Sequence, residues 1–284
     1  MRIMTVYAHP ADTITNCGGT LALHADAGDE IVAVIITHGG RIHPNMYAEE
    51  ARKEEDADPS LIAADRVEII ENKKGELRRA ADIIGIGTIE FLDHDDLMST
   101  VQEDVVDQVA ELIAEHRPDV VIADYPQNPA VTNSTHTIAT MVLIAAMDRA
   151  ASFLKNLDGK EEVNIKQVFL GGLPVLASDA LSTYGVRNDL LIDITSVVGR
   201  KVAAMDCFTS QGYDGPFARK LIEASNGEFG RSAGVALAEP YVRFRSETRA
   251  LLPLTEYAEA ADPLTRHVSY SQFDVRREFP LTQG

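Results

Sequence analysis

Apolar and polar positions alternate in blocks along the first half of the chain. Ile3–Ala8 is a short unbroken apolar run, as expected of a strand buried on both faces of a sheet. Residues 18–27 suit a helix, with Gly28 as its C-terminal stop. Ile31–Thr37 is a second buried strand, so the opening reads as a βαβ unit. A charge-rich stretch from Met46 to about Ile84 follows and reads as helix, interrupted at Asp58-Pro59-Ser60. Strands are then predicted at Gly87–Leu92 and Asp119–Ala123, and helices at Val101–His116 and His136–Ala150. Beyond that the pattern loosens. Gln167–Leu170, Leu190–Ile192 and Tyr241–Phe244 read as strands, and Thr195–Cys207 and Phe217–Glu223 as helices.

This alternation predicts an α/β fold: a Rossmann-like, doubly wound, mostly parallel sheet with an irregular C-terminal α+β portion. A single domain over residues 1–284 is expected, with the Rossmann-like core at about 1–150. A cap would follow at about 151–284, with a tail after Pro263 that contacts a neighbouring subunit of a homo-oligomer.

Composition narrows the function. With 26 Lys and Arg against 44 Asp and Glu, the net charge of −18 argues against nucleic acid and against an anionic membrane surface. No apolar run approaches the roughly 20 residues that span a bilayer. Two cysteines, Cys17 and Cys207, make no disulfide framework, and a cytoplasmic location is expected.

In an open parallel sheet, ligands bind beyond the carboxyl ends of the strands. Four polar clusters fall at those ends. His9 and Asp12 follow the first strand, and His38, Arg41 and His43 the second. Asp93, Asp95 and Asp96 follow the third, and the loop from Asp124 to His136 the fourth. Two imidazoles and a carboxylate, His9, Asp12 and His136, would leave a divalent metal an open position for water or substrate. Each also has a plainer reading. A histidine after a strand is commonly a turn residue, Asp12 could cap the helix that follows, and His136 could simply begin a helix. From the residues alone both readings stand.

The segments AHPAD, CGGTLA and GDEIVAVIITHG resemble the opening of the PIG-L/LmbE family of zinc-dependent deacetylases. RPDVVIADYP with STHTIATMVLIAA resembles the family's later histidine loop and helix. LIDITSVVGRKVAAMDCFTSQ resembles its C-terminal segment, so the likeness runs over roughly residues 1–245. It implies Zn2+, or another divalent metal, on His9, Asp12 and His136.

The departures bear on mechanism. The family's first Asp after His-Pro is the general base that activates water, and Ala11 stands there. The acid after the second Asp is Thr13. The later His-Pro-Asp-His is here Asn133-Ser134-Thr135-His136. One branch of the superfamily, the 4-oxalomesaconate hydratases, also carries Ala before the ligand Asp. This likeness implies a hydratase acting on a small, anionic, unsaturated oxo-carboxylic acid. That branch places acids after the second strand; Arg41 is kept, whereas the later acid is His43. His43 is therefore the expected acid/base group, since an imidazole titrates near neutrality, and Arg41 would hold a substrate carboxylate. Asp96, Asn133, Glu239 and Tyr241 are the expected substrate-lining residues. The alternatives are a PIG-L-type zinc deacetylase with a substituted base, and a metal-binding protein with little catalysis.

Overall fold

The computed structural model describes residues 1–42, 45–127, 135–171 and 185–259. Its seven-stranded sheet comprises β1 (Arg2–Tyr7), β2 (Glu30–Thr37), β3 (Thr88–His94), β4 (Val120–Asp124), β5 (Gln167–Gly171), β6 (Leu190–Asp193) and β7 (Ala238–Arg243). The order is β3-β2-β1-β4-β5-β7-β6. The first five strands in that order run parallel, while β7 pairs antiparallel with both β5 and β6. The α/β doubly wound reading holds, with a mixed edge contributed by the C-terminal portion.

Side chains alternate across the strands, which gives the sheet two buried faces. Ile3 and Tyr7 of β1, with Ile31, Ala33 and Ile35 of β2, pack toward α1 (Asp12–Asp26), α4 (Arg66–Ile84) and α8 (Val198–Met205). Met4, Val6 and Ala8, with Val34 and Ile36, pack on the other side against α5 (Glu103–His116) and α6 (Thr135–Ala151). Strands buried on both faces read as unbroken apolar runs, which is why β1, β2 and β4 were plain in the sequence.

The charged stretch after β2 is three helices: α2 (Asn45–Glu50), α3 (Pro59–Ala63) and α4. Asp58 and Pro59 begin α3, and α4 opens on a capping box between Asp65 and Glu68 and closes on left-handed Gly85. After α7 (Lys155–Asp158) and β6, the expected helix at Thr195–Cys207 is a single 3-10 turn, Thr195–Val197, running into α8. The expected helix at Phe217–Glu223 is longer: α9 (Gly215–Leu221) passes through a π turn, Ile222–Asn226, into α10 (Gly227–Ala233). The segment expected to contact a neighbouring subunit, after Pro263, lies outside the described residues.

The helix expected to begin at Gly18 begins at Asp12 instead. It is broken at Cys17 (φ −136°, ψ 15°), so Gly18 starts its second segment. The break frees backbone N–H groups that a straight helix would satisfy internally. A buried carboxylate from β7 takes them: Glu239 accepts from Gly19 N (2.9 Å) and Thr20 N (2.7 Å). No helix among the described residues is long and apolar enough to cross a membrane.

Backbone approach constrains two glycines in opposite ways. A Cβ on Gly230, in α10, would lie 2.3 Å from the Ala236 carbonyl oxygen, whereas one on Gly199, in α8, would meet nothing within 4 Å. Gly230→Ala is therefore expected to lower unfolding stability by about 1–3 kcal/mol. Gly199→Ala should raise it by about 0.5–1 kcal/mol. Urea denaturation of the two variants against the parent checks both signs.

Candidate metal centre

The sheet reverses its winding between β1 and β4, the place where an open α/β sheet leaves a crevice at its carboxyl edge. His9 leaves β1 there, and His136 sits in the first turn of α6, which follows β4. The loop after β1 folds back on itself: the His9 backbone N–H donates to Asp12 Oδ2 (2.7 Å), and Asp12 N to His9 O (3.2 Å). Asp12 is thus fixed at the start of α1.

The structure brings the three residues together. Asp12 Oδ2 lies 3.4 Å from His9 Nδ1 and 3.5 Å from His136 Nδ1. The imidazoles meet edge to face with centroids 4.8 Å apart, and one donor atom from each residue lies within 4.8 Å of the others. Ligands bound tetrahedrally at about 2.0–2.2 Å stand roughly 3.4 Å from one another, so a set with one donor atom per residue within 4.8 Å is compact enough to close on a small divalent cation. His9 Nε2 is buried with no hydrogen-bond partner among the described residues. A buried imidazole nitrogen without a partner is costly in an apolar setting, and a cation or its water would satisfy it.

Asp124, the last residue of β4, went unremarked in the sequence as a site residue. Its Oδ2 lies 2.9 Å from His136 Nδ1, and its Oδ1 accepts from Asn16 Nδ2 (2.7 Å). A carboxylate on one ring nitrogen orients a ligand histidine and raises its basicity. Thr140 Oγ1 donates to the Asp124 carbonyl (2.9 Å), tying α6 to the strand end. The available signal was positional: an acid that ends a buried strand has to find a partner beyond the sheet edge.

The charges are strongly coupled. Burial pushes the Asp12 carboxyl up, yet His136 and His9 overcome it and hold it below its usual value. Burial also raises the Asp124 carboxyl, against the pull of His136, and there burial prevails. His136 is pushed up to about 9: burial opposes its protonation, but Asp12 and Asp124 outweigh burial.

The second loop, after β2, is clamped from both sides. Asp96 accepts the backbone N–H groups of Gly39 (2.7 Å) and Arg41 (2.6 Å). Lys73, on α4, donates its ammonium to the Gly39 carbonyl (2.5 Å) and to that of Ile42. Lys73 is buried, and burial draws its ammonium down to about 8. The Arg41 guanidinium forks onto Asp95 through Nε (3.0 Å) and Nη2 (3.1 Å).

Several expected substrate contacts are used differently. Both Asp96 oxygens are occupied by the loop amides, so Asp96 shapes the loop. Glu239 is 0% exposed, bound to Gly19, Thr20 and Lys201 Nζ (2.7 Å), and so has no face toward a pocket. Tyr241 is equally enclosed and donates to Thr20 Oγ1 (2.7 Å). The physical reason is the broken helix, whose free amides draw a carboxylate inward. Cys17 lies in the same core, its thiol raised by burial and by Glu239. His43 and Asn133 lie outside the described residues.

The family model for PIG-L, described as GlcNAc-PI de-N-acetylase, matches residues 4–147. The chain belongs to the PIG-L family. Among curated relatives, the 4-oxalmesaconate hydratase of Pseudomonas putida is 24% identical over 241 residues, covering 84% of this chain and 85% of the relative. The diacetylchitobiose deacetylase of Thermococcus kodakarensis is 24% identical over 213 residues, covering 74% and 70%. Among solved structures, the 4-carboxy-2-hydroxymuconate hydratase GalB of Pseudomonas putida superposes with a TM-score of 0.69 at 22% identity, covering 89% of this chain and 99% of that one. The N,N'-diacetylchitobiose deacetylase of Pyrococcus horikoshii gives a TM-score of 0.68 at 18% identity, covering 86% and 83%. Family membership thus places the chain among enzymes, with hydratases and deacetylases both represented among its relatives.

Two outcomes follow for metal binding. Below about pH 9 the metal-free His136 holds a proton that a ligand histidine must release. Apparent affinity for zinc should therefore rise by about tenfold per pH unit as that proton is lost, and flatten above about 9; competition with a chromophoric chelator measures it. Asp124→Asn should weaken zinc binding by about 10- to 100-fold while leaving the fold intact by circular dichroism.

Proposed function

We propose that the chain is a zinc-dependent hydro-lyase that adds water to a carbon–carbon double bond of a small unsaturated oxo-carboxylic acid. Ala11 carries this reading. It is 1% exposed and packed in the core cluster with Tyr7, Ile14 and Cys17, so that position supplies no proton acceptor. The sequence resemblance puts Ala11 where the deacetylases keep their general-base aspartate. The likeness to a hydratase over most of both chains supports the same reading.

His9, Asp12 and His136 would hold the metal, with Asp124 and Asn16 keeping His136 in place. When bound, zinc would polarise a substrate oxygen. Arg41 would orient a substrate carboxylate. Its fork on Asp95 fixes the guanidinium plane and leaves Nη1 without an internal partner among the described residues. His43, three residues past the Gly39–Gly40 turn, would move the proton.

A second reading, a zinc-dependent deacetylase with a substituted base, is favoured by the likeness to the diacetylchitobiose deacetylases and by the same triad. One assay separates them. Zinc-loaded protein is offered unsaturated oxo-dicarboxylates, followed by loss of conjugated absorbance, and N-acetyl amino sugars, followed by amine release. Hydration is the expected result, with His43→Ala lowering kcat by about 10²- to 10⁴-fold. Amine release without hydration would overturn the hydratase assignment in favour of the deacetylase.

A further inference from the structure

We propose that His38 is a substrate-binding residue that presents its Nε2–H to a carboxylate or carbonyl oxygen of the substrate. The inference rests on the reading of the His9–Asp12–His136 crevice as the substrate site.

Position comes first. In β2, Val34 and Ile36 pack in the core on the α5–α6 side, and His38 is the first residue beyond that strand, its backbone N–H donating to His94 O (3.0 Å). His136 lies on α6, which covers the same face. A short chain of contacts joins the two histidines. His38 Nδ1 stands 3.5 Å from Asp96 Oδ1, Thr135 Oγ1 donates to the Asp96 carbonyl (2.7 Å), and His136 is the next residue. The turn after His38 also abuts the metal-site loop, since a Cβ on Gly39 would lie 3.0 Å from Pro10 Cδ. Thr37 ties the same two segments, its backbone N–H (2.9 Å) and Oγ1 (2.8 Å) both donating to Ala8 O.

Hydrogen bonding then decides what the ring offers. The Gly40 backbone N–H donates to His38 Nδ1 (3.0 Å). A backbone amide cannot accept, so Nδ1 must present its lone pair, and the ring proton resides on Nε2. Asp96 Oδ1 stands farther from Nδ1, at 3.5 Å, than the Gly40 nitrogen does, and it takes the Gly39 amide at 2.7 Å. Among the described residues Nε2 has no internal acceptor: Asp95 Oδ2 is 3.9 Å away and is held by Arg41. Nor is Nε2 sealed in, for the enclosed side-chain polar atoms without a partner among the described residues are His9 Nε2 and Asn188 Oδ1.

The result is a fixed donor on a mostly buried ring. The charged groups around it, Asp95, Asp96, Arg41 and Lys73, are engaged with one another or with the loop backbone. A fixed N–H suits an oxygen that carries or develops negative charge. It cannot act as a base at Nε2, because that nitrogen already bears the proton. His38 and His43 therefore take different parts: one binds, the other moves the proton.

The test uses the full-length, zinc-loaded protein with malonate as the probe, and involves no turnover. Histidine ring 15N–1H correlations at neutral pH, assigned with His38→Gln, should show a bare Nδ1 and a protonated Nε2 whose signal shifts on malonate addition. His38→Gln keeps an N–H near the Nε2 position and loses the acceptor for Gly40; His38→Asn does the reverse. Malonate affinity by calorimetry should stay within a few-fold in His38→Gln and fall about 10-fold or more in His38→Asn. A purely structural His38 would give the opposite order. That order, equal affinities, an Nδ1–H ring, or no malonate binding by the parent protein would each overturn the proposal. If the hydration assay fails while these results hold, the fault lies with the assigned reaction and not with His38.

Discussion

The site hangs on a broken helix. Cys17 leaves the helical path, and the amides released beyond it are taken by Glu239 from the far end of the chain. The carboxylate is 0% exposed, which would be untenable alone; Lys201, 1% exposed, balances it at 2.7 Å and also meets Asn226. Removing one partner of such a pair typically costs about 3–5 kcal/mol, because a buried charge is left uncompensated. The break separates two tasks. The turn from Asp12 to Asn16 aims Asp12 at the two imidazoles and Asn16 at Asp124. The segment from Gly18 onward packs against the sheet, with Gly19 so close to Ile194 that a Cβ would stand 2.7 Å from its Cγ2.

Around that turn the protein concentrates charge where it is costly to keep. Asp12 and Asp124 flank His136, and the metal-free arrangement balances them by protonating the imidazole. A divalent cation would do the same while also meeting His9 Nε2. The geometry of the triad and the cost of its metal-free form point the same way. Asp124 contributes to both, because it orients His136 and adds to the negative field.

The loop after β2 is the counterpart of this rigidity. Asp96 gathers amides and Lys73 gathers carbonyls, so a segment rich in glycine is held by two buried charges from other elements. Arg41 and His38 are then presented on a fixed frame. On the proposed reading, such a frame would set donors before the ligand arrives.

Much of this was legible before any coordinates. Unbroken apolar runs mark strands buried on both faces, and Asp58-Pro59-Ser60 marks the break in the charged helical stretch. Their spacing implies the parallel sheet and the polar clusters at its carboxyl edge. His9 and Asp12 share one short turn, so their association is local and the motif carries it. What the chain order could not decide is which distant groups share a charge. Glu239 resembled a pocket residue because its role depends on amides freed at Cys17, some 220 positions earlier in the chain. Asp124 stands in the fourth polar cluster, but its partners, Asn16 and His136, converge only when β1 and β4 lie side by side. Local capping and burial periodicity are thus written in neighbouring residues, whereas the partners of buried charges are chosen by the sheet order, which exists only in the folded chain.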